Sequence, residues 1–546
     1  MPDWLKTAVF YEIYPQSFYD SNGDGIGDIP GIIEKLDYIK GLGCNALWLN
    51  PCFDSPFRDA GYDVRDYKKT APRYGCNEDL FRLFDEAHKR GMRVILDLVP
   101  GHTSEEHEWF TESRKANPNE EMKNRYIWTD GWFFWGLDGL KHIAGEAERN
   151  GCYIINFFKC QPALNYGFNE RREKWMLAPD HKDCAATREA LKDIMRFWLK
   201  GDKGRGCDGF RVDMADSLVK FDDRHKSATS AVWRDIRSML DSEFPEAVIV
   251  SEWGAPDLSI KAGFHADFLL DHGGSGYRSL ARDYLDNGQA GETSPSHEKN
   301  DSYFRKDGNG NIKKFLDQYL PWYEAVKGNG YISIITGNHD TPRISRRLDA
   351  DETALALAVF FTFPGVPFLY YGDEIGMRYL YNLPSKEGGY TRTGSRTPMQ
   401  WNAGKNAGFS SAEECQLYLP VDAEKDTLNV ASQENDPKSL LNKVKTLLRL
   451  RNSEDDLKSK PNLEIVHAPG VSSGADQNSR LFVYKRGMCV IGVNPGKTEA
   501  SYSASGSALA ASGEFTLLYS IGGCGYENGF FKFGSQSFGV WKLKGS

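Results

Sequence analysis

Eight short apolar runs recur along the chain, and each is followed by a loop and an amphipathic stretch. The runs are Val9–Ile13, Ala46–Leu49, Val94–Val99, Gly209–Asp213, Val248–Glu252, Phe268–Asp271, Ile332–Thr336 and Val366–Tyr371. Between them, apolar side chains repeat with helical spacing, as in Glu78–Arg90. Near-continuous apolar strands that alternate with helices indicate a parallel sheet covered on both faces. Eight of them predict an α/β fold, the closed (β/α)8 or TIM barrel.

Two regions depart from this alternation. Residues 103–170 lack a clear period, which predicts an inserted subdomain after the third strand. Beyond residue 454, short strands are separated by Gly, Ser and Asn, which predicts a C-terminal all-β domain of sandwich type. The predicted organisation is a barrel in two parts, an insertion and an appended domain, with bounds at 1–102, 103–170, 171–454 and 455–546.

Composition and charge narrow the class of protein. The net charge of -9 leaves no basic footprint for nucleic acid. The 10 cysteines form no CxxC pair and the N-terminus lacks a secretory pattern, so we expect a cytoplasmic protein. The apolar segment Ala354–Gly372 could suggest a membrane span, but Pro364 and Pro367 interrupt it. It predicts a helix, a turn and a buried strand, and we expect no membrane partner.

Four acids stand at or just beyond the ends of predicted strands: Asp97, Asp213, Glu252 and Asp340. One acid there commonly caps the next helix, whereas four converging on the catalytic end of a barrel indicate chemistry. Arg211 precedes Asp213 by two residues, so both side chains leave the same face of the strand. We expect Arg211 to lower the pKa of Asp213, and the charge of Asp213 to raise that of Glu252. Such a pair suits retaining glycoside hydrolysis.

Four motifs, in this order, resemble the α-amylase family of retaining glycoside hydrolases. They are Asp97–His102, Gly209–Asp213, Ser251–Trp253 and Asn338–Asp340. The resemblance implies that Asp213 is the nucleophile and Glu252 the acid/base, and that Asp340 binds sugar hydroxyls and stabilises the transition state. It also implies that three further residues line the subsite of the cleaved glucose, namely His102, Arg211 and His339.

Within the family, the chain is similar to oligo-1,6-glucosidases, α-glucosidases and trehalose synthases. Tyr62, Asp63 and Arg392 resemble their pocket for a non-reducing terminal glucose, and Asp63 and Arg392 are expected to meet at its closed end. Arg396–Trp401 is typical of the same enzymes. The resemblance implies an exo-acting α-glucosidase on short oligosaccharides, without an organic cofactor. Two alternatives stay open: a transglycosylase or isomerase such as a trehalose synthase, and an inactive carbohydrate-binding relative.

Three positions depart from the family's patterns. Gly101 stands where the family has an Asn that helps endo-acting amylases hold calcium, which argues against that calcium here. Ala163 stands where relatives usually have Asp. Met214, directly after Asp213, matches neither residue type by which the subgroup sets linkage preference, so the linkage stays open.

A second metal candidate lies near the N-terminus. The loop spaces oxygen side chains two residues apart, and its glycines let it curl around a hard cation. The candidate ligands are Asp20, Asn22, Asp24, Ile26 and Asp28. In the resembled subgroup this loop binds Ca2+ or Mg2+ away from the chemistry, which implies a structural role. The alternative is an unmetallated polar turn.

Aromatic residues crowd one stretch of the insertion, among them Trp128, Trp132 and Trp135. Such rings either form the small core of the insertion or stack sugars near the entrance of the site. We expect an oligosaccharide as the partner, and a monomer or a small homo-oligomer in solution.

Overall fold

The computed structural model describes residues 1–131, 139–271, 275–282, 302–472, 479–504 and 514–544. Its centre is a closed barrel of parallel strands, and strands that follow one another in the chain lie side by side. The strands are β1 Phe10–Ile13, β2 Ala46–Leu49, β3 Arg93–Leu98, β4 Gly209–Val212, β5 Val248–Ser251, β6 Ala266–Phe268, β7 Tyr331–Ile335 and β8 Val366–Tyr370. Each predicted run overlaps one strand, so the predicted barrel is confirmed.

Helices cover the outside of the barrel. Asn77–Lys89 turns the apolar face predicted for it, with Leu80, Leu83 and Phe84, towards the barrel and buries it. The α-helices are Ile29–Glu34, Leu36–Leu42, Asn77–Lys89, Glu108–Ser113, Lys182–Lys200, Ser227–Glu243, Pro256–Ser259, Arg278–Ala281, Lys313–Val326, Ala350–Thr362, Val430–Glu434 and Leu440–Ser453.

The sixth strand differs from its prediction. The apolar run Phe268–Asp271 predicted it, whereas β6 begins at Ala266 and ends at Phe268. Asp267 stands at its middle and is fully buried. A carboxylate in a strand breaks the apolar pattern on which the prediction relied, because such a group is buried only where donors satisfy it.

The apolar segment near residue 360 forms a helix and a strand, as predicted. Asp349 and Glu352 form a reciprocal cap: the N–H of Glu352 donates to Asp349 Oδ1 at 2.9 Å, and that of Asp349 to Glu352 Oε2 at 2.9 Å. The helix Ala350–Thr362 then packs against C-terminal strands, where the hydroxyls of Thr362 and Tyr484 lie 2.6 Å apart. Of the helices described, none has the length and apolarity needed to cross a bilayer.

The insertion after β3 is built from short elements. The helix Glu108–Ser113 and a hairpin of His142–Ala144 with Cys152–Ile154 lie within it. Trp128 is buried and packs between Phe110 and Tyr153, with ring centroids at 5.9 and 5.4 Å, so this ring belongs to the core of the insertion. Trp132 and Trp135 lie outside the described residues.

Antiparallel sheets follow the barrel at the C-terminus. The larger sheet has five strands, in the order Leu463–His467, Phe482–Arg486, Cys489–Asn494, Ser537–Leu543 and Phe515–Ile521. The smaller sheet has three, in the order Ala500–Ser503, Phe530–Phe533 and Cys524–Glu527. The predicted all-β character of this region is confirmed, while the boundaries at residues 102, 170 and 454 stay predictions.

Candidate active site

Arg211 is the centre of a carboxylate cluster at the C-terminal ends of β3, β4 and β5. Its buried guanidinium lies over the ring of Trp48, 5.1 Å from the centroid. Nη1 lies 2.7 Å from Asp97 Oδ1 and 3.2 Å from Asp213 Oδ1. Nη2 lies 2.7 Å from Glu252 Oε2. The structure therefore brings three of the four predicted acids onto one cation, and we call these residues the Arg211 cluster.

The Arg211 cluster has more acids than one guanidinium can neutralise. Burial and the charge of Glu252 raise the pKa of Asp213 well above its usual range, and Arg211 offsets only part of this effect. Arg211 lowers the pKa of Asp213 as expected, but the expectation that this keeps Asp213 ionised is wrong, because it left out desolvation. Asp213 therefore keeps its proton at a pH where an isolated carboxyl group is ionised.

The residue after Asp213 has a strained backbone. Met214 lies in the left-handed region, with φ 43° and ψ 47°. Its N–H donates to Glu252 Oε2 at 3.1 Å. Residues held in this conformation cost about 1–3 kcal/mol and collect at functional sites. The strained turn gives Glu252 a fixed donor beside Asp213.

Asp267 holds the turn that follows Glu252. Its Oδ1 accepts from Ser251 Oγ at 2.7 Å and from the N–H of Trp253 at 3.0 Å, and its Oδ2 accepts from the N–H of Ala255 at 2.9 Å. Burial raises the pKa of Asp267 to about 7, although these donors lower it. Sequence reasoning missed this residue, and its signal is a single acid between Ala266 and Phe268.

A second cluster surrounds Asp340. Its Oδ1 accepts from Arg392 Nη1 at 2.7 Å and Arg396 Nη2 at 2.9 Å, and its Oδ2 lies 3.2 Å from His339 Nε2. Burial opposes ionisation, but His339 and Arg392, with help from Arg396, hold the pKa of Asp340 well below its usual range. Asp340 is therefore an anion wherever the protein is folded at moderate pH.

Tyr62 joins the two clusters. Its hydroxyl donates to Asp97 Oδ2 at 3.1 Å and lies 2.6 Å from His339 Nε2. The other side of the imidazole is fixed, since His339 Nδ1 lies 3.0 Å from Glu12 Oε1 and 3.0 Å from Asn50 Nδ2. Sequence reasoning did not single out Glu12, whose signal is a carboxylate inside the apolar run of β1.

Asp63 does not meet Arg392, and the prediction that pairs them is wrong. The oxygens of Asp63 accept from Ser55 Oγ at 3.0 Å and from the N–H groups of Arg58 at 2.9 Å and Asp59 at 3.0 Å, so this buried carboxylate closes its own loop. The acid that faces Arg392 is Asp59, with Oδ1 3.6 Å from Nη2.

Asp59 is fixed at this position. Gln161 Nε2 donates to Asp59 Oδ2 at 2.7 Å, and the carboxylate is nearly buried. Burial raises its pKa, while Arg392 and Gln161 lower it. The series of contacts that leads from Arg211 to Asp340 continues to Arg392 and ends at Asp59. We call Asp59 and Arg392 the Asp59 end.

His102 lies beside Tyr62 rather than against the acids. Its Nε2 lies 3.2 Å from the carbonyl oxygen of Tyr62, and burial lowers its pKa to about 3, so the ring is neutral. Asn156 Nδ2 lies 3.2 Å from His102 Nδ1 and donates to the Gly101 carbonyl at 2.9 Å. Lys220 Nζ donates to Asn156 Oδ1 at 3.0 Å. An amide and an ammonium group therefore occupy the space beside Gly101.

The loop from Asp20 to Asp28 is closed by its own hydrogen bonds. Asp20 accepts from the N–H groups of Gly23 at 2.7 Å and Gly25 at 2.8 Å, while Asp28 accepts from that of Ser21 at 3.0 Å. Burial and the charge of Asp20 raise the pKa of Asp28. In the part of the chain that the structure describes, no three His, Cys, Asp or Glu side chains form a metal-binding group.

The donors of this loop nevertheless suit a hard cation. The five expected ligands would supply only oxygen atoms, and a bound Ca2+ or Mg2+ would neutralise two buried carboxylates that repel each other. The ion stays a prediction, and its expected role is structural.

We expect chelation to lower the melting temperature of the protein by several degrees. A bound ion at 100 times its dissociation constant stabilises by about 2.7 kcal/mol, which EDTA would remove. Scanning calorimetry in EDTA and in about 1 mM Ca2+ would measure the shift. In Asp24→Ala the melting temperatures in EDTA and in Ca2+ should be equal. Equal melting temperatures in the unaltered protein would mean that the loop is a simple polar turn.

Comparison with known proteins identifies the architecture and its chemistry. A sequence model described as the alpha amylase catalytic domain matches residues 12–460. The chain belongs to the α-amylase family. It is therefore related to glycoside hydrolases, and the family predicted from the four motifs is confirmed.

Curated relatives in the family carry more than one activity name. The trehalose synthase/amylase of Mycolicibacterium smegmatis is 34% identical over 500 residues, covering 83% of this chain and 77% of its own. The oligo-1,6-glucosidase of Heyndrickxia coagulans is 31% identical over 515 residues, covering 83% and 86%. The glucan 1,6-alpha-glucosidase of Streptococcus pneumoniae is 32% identical over 501 residues, covering 82% and 84%.

Solved structures of other proteins share the fold. An isomaltulose synthase variant from Erwinia rhapontici, in complex with its natural substrate sucrose, superposes with a TM-score of 0.77 at 24% identity and covers 100% of both chains. At this identity the likeness concerns the fold alone. The names of these proteins thus divide between glucosidases and sugar synthases.

Proposed function

We propose that the protein is a retaining, exo-acting α-glucosidase that removes terminal glucose from short oligosaccharides. The observation that carries this proposal is the arrangement of two clusters: the carboxyl groups of Asp213 and Glu252 on Arg211, and the carboxylate of Asp340 held by Arg392 and Arg396. The first supplies a nucleophile and an acid, and the second supplies charged partners for the hydroxyls of one sugar ring.

In the first step, Asp213 attacks the anomeric carbon while Glu252 protonates the departing glycosidic oxygen. The bond from carbon to that oxygen breaks as the bond to Asp213 forms, and the proton passes from Glu252 to the leaving group. This step requires an ionised Asp213 and a protonated Glu252, an arrangement that a glycosidic oxygen accepting a hydrogen bond from Glu252 would favour. Arg211 stabilises the Asp213 anion that remains.

In the second step, the carboxylate of Glu252 takes a proton from water while the water oxygen bonds to the anomeric carbon. The ester bond from that carbon to Asp213 breaks, and Asp213 leaves as a carboxylate. Two inversions return the α anomer. The ionised Asp340 lies beside the sugar in this scheme, where a fixed negative charge stabilises an oxocarbenium-like transition state.

The Asp59 end supports exo-action. Arg392 bridges Asp340 and Asp59, and these charged groups would bind the outer hydroxyls of a terminal glucose. A site that pairs buried polar groups with substrate hydroxyls rejects molecules that leave those groups unpaired. A further sugar at this end would displace the hydroxyls from these partners.

Isomerisation is the second candidate, because a relative at 34% identity carries the name trehalose synthase/amylase. The two reactions share the first step and differ in whether water or a retained sugar hydroxyl attacks the intermediate.

A substrate panel separates these candidates. The protein would be incubated with maltose, isomaltose, sucrose and trehalose, and the products followed by NMR. Early release of α-glucose from at least one of them supports the glucosidase. Conversion of maltose to trehalose with little free glucose would identify an isomerase, and initial β-glucose would contradict the retaining mechanism. Failure to turn over an activated α-glucoside would indicate the inactive relative.

We expect Asp267→Asn to reduce kcat for maltose by about 10- to 100-fold, because a loosened turn misplaces Glu252 and small misplacements cost on this order. The amide presents a donor to N–H groups that need an acceptor. Activated 4-nitrophenyl α-glucoside should lose much less, since its leaving group needs little protonation. Equal losses on both substrates, or a large fall in melting temperature, would assign Asp267 to general stability.

A further inference from the structure

Residues 384–392 run past the Asp59 end and contact it through their backbone. Arg392 Nη2 donates to the Gly388 carbonyl at 2.7 Å. Gly388 has φ 69°, and a Cβ there would lie 2.9 Å from the carbonyl oxygen of Arg58, 3.4 Å from Asp59 Oδ1 and 3.6 Å from Phe158 Cζ. The segment therefore passes so close to Asp59 and Phe158 that it leaves no room for a side chain.

Two aromatic rings meet directly outside this contact. Phe158 and Tyr390 stack with centroids 6.3 Å apart and planes at 21°. Phe158 is tied to the Asp59 end, because its N–H donates to Gln161 Oε1 at 3.0 Å and Gln161 Nε2 donates to Asp59. The rings come from different parts of the chain, one from the insertion and one from the segment after β8.

Tyr390 is held in place although it is 57% exposed. Its backbone lies in the left-handed region with φ 46°, and its N–H donates to Ser385 Oγ at 2.9 Å. Glu387 shares the conformation with φ 47°, and its carboxylate accepts from Arg73 Nη1 at 2.8 Å and Tyr418 OH at 2.9 Å. Strain in non-glycine residues persists where the surroundings over-determine it and is frequent at ligand clamps.

The order of these contacts places the two rings at the end opposite to the reacting acids. The contacts run from the reacting acids on Arg211 through Tyr62 and His339 to Asp340, then to Arg392 and Asp59, and end at Gly388 and the two rings. A glucose seated between the two clusters would direct its non-reducing end towards the rings. An additional sugar on that side would meet them.

We propose that Phe158 and Tyr390 form a wall that blocks sugar units beyond the terminal glucose and so determines exo-action. This inference rests on the proposed function and adds the residues that limit chain length. Asp59 and Arg392 bind the hydroxyls of the terminal ring, whereas the stacked rings exclude what would lie behind it.

The test uses a 4-nitrophenyl α-maltoside whose terminal O4 and O6 carry an ethylidene block. An exo-enzyme cannot shorten this substrate, so nitrophenol is released only if the blocked maltosyl unit fits past the rings. We expect negligible release from the unaltered protein and at least a tenfold gain in kcat/KM for Tyr390→Ala, and more for Tyr390→Ala with Phe158→Ala. Tyr390→Phe, which keeps the ring, should behave as the unaltered protein.

Tyr381→Ala is the matched control, since Tyr381 is exposed, lies just before this segment and meets the ring of Tyr379 edge-on instead. It should gain nothing. If Tyr390→Ala turns over 4-nitrophenyl α-glucoside normally and still rejects the blocked maltoside, the wall does not exist. A raised KM for both substrates would show a sugar-stacking platform and would likewise overturn the proposal.

A binding measurement keeps this test apart from the proposed function. In an Asp213→Asn background, calorimetric affinity for maltotetraose should rise at least fivefold with Tyr390→Ala. This rise is expected even if the natural reaction is isomerisation. Unchanged affinity would contradict the wall regardless of which activity the substrate panel reveals.

Discussion

Asp213→Asn lowers kcat on α-glucosides by about four to six orders of magnitude, as removal of a covalent nucleophile does in other enzymes. The amide cannot form the ester with the anomeric carbon. Steady-state rates on 4-nitrophenyl α-glucoside measure the loss, and thermal melting shows that the variant is folded. Residual activity above a few per cent would remove Asp213 from the nucleophilic role.

Azide rescue of Asp213→Ala is a stricter test of Asp213 as the nucleophile. Azide can enter the space left by the carboxylate, attack the anomeric carbon and expel nitrophenol, so the product should be β-glucosyl azide. An α-azide, or no rescue, would argue against attack from this face. Asp216 is a matched control: it pairs with Lys226 at 3.3 Å, and Asp216→Asn should keep most activity without responding to azide.

Arg392→Ala lowers kcat/KM for maltose by about 10²- to 10³-fold, with each factor of ten worth ~1.4 kcal/mol of transition-state binding. The variant loses a sugar contact and leaves Asp340 and Asp59 without a shared cation, which is costly in a buried site. Kinetics on maltose and product sizes from maltotriose measure the effect. Rapid loss of starch iodine staining by the unaltered protein, with little glucose released, would contradict exo-action.

The same substitution moves the acidic limb of the pH profile. Arg392 helps to hold the pKa of Asp340 well below its usual range, so its removal raises that pKa. Activity that needs ionised Asp340 is then lost at a higher pH as the solution is acidified. Asp63→Asn is the control that distinguishes an effect on the site from an effect on stability. It should lower the melting temperature and leave the acidic limb of the pH profile unchanged.

The barrel was predictable because its signal is local and repeated. Each strand buried on both faces must be apolar over several residues, and each helix must cover it with one face. The prediction places β6 two residues late because Asp267 interrupts that apolar signal. Asp267 is tolerated there because Ser251 and the turn after Glu252 donate hydrogen bonds to it, and a local sequence pattern does not reveal such distant donors.

The candidate site was predictable at strand ends and less so in loops. Asp213, Glu252 and Arg211 meet because parallel strands end at one edge. Asp59 and Asp63 lie four residues apart in a loop, and nothing in their spacing tells which faces Arg392. The backbone donors around Asp63 decide it. The pKa direction of Asp213 depends on burial and neighbours together, and only the folded arrangement gives both.

The helix Ala350–Thr362 has a consequence for the integrity of the chain. All its residues from Glu352 to Thr362 are buried, and Arg486 Nη1 donates to the Thr362 carbonyl at 2.7 Å across the contact with the C-terminal sheet. A barrel shortened at Ser453 would expose the side of this helix that packs against the C-terminal strands, and an exposed apolar face favours aggregation. The barrel and its C-terminal sheets are therefore expected to be expressed and degraded as one unit.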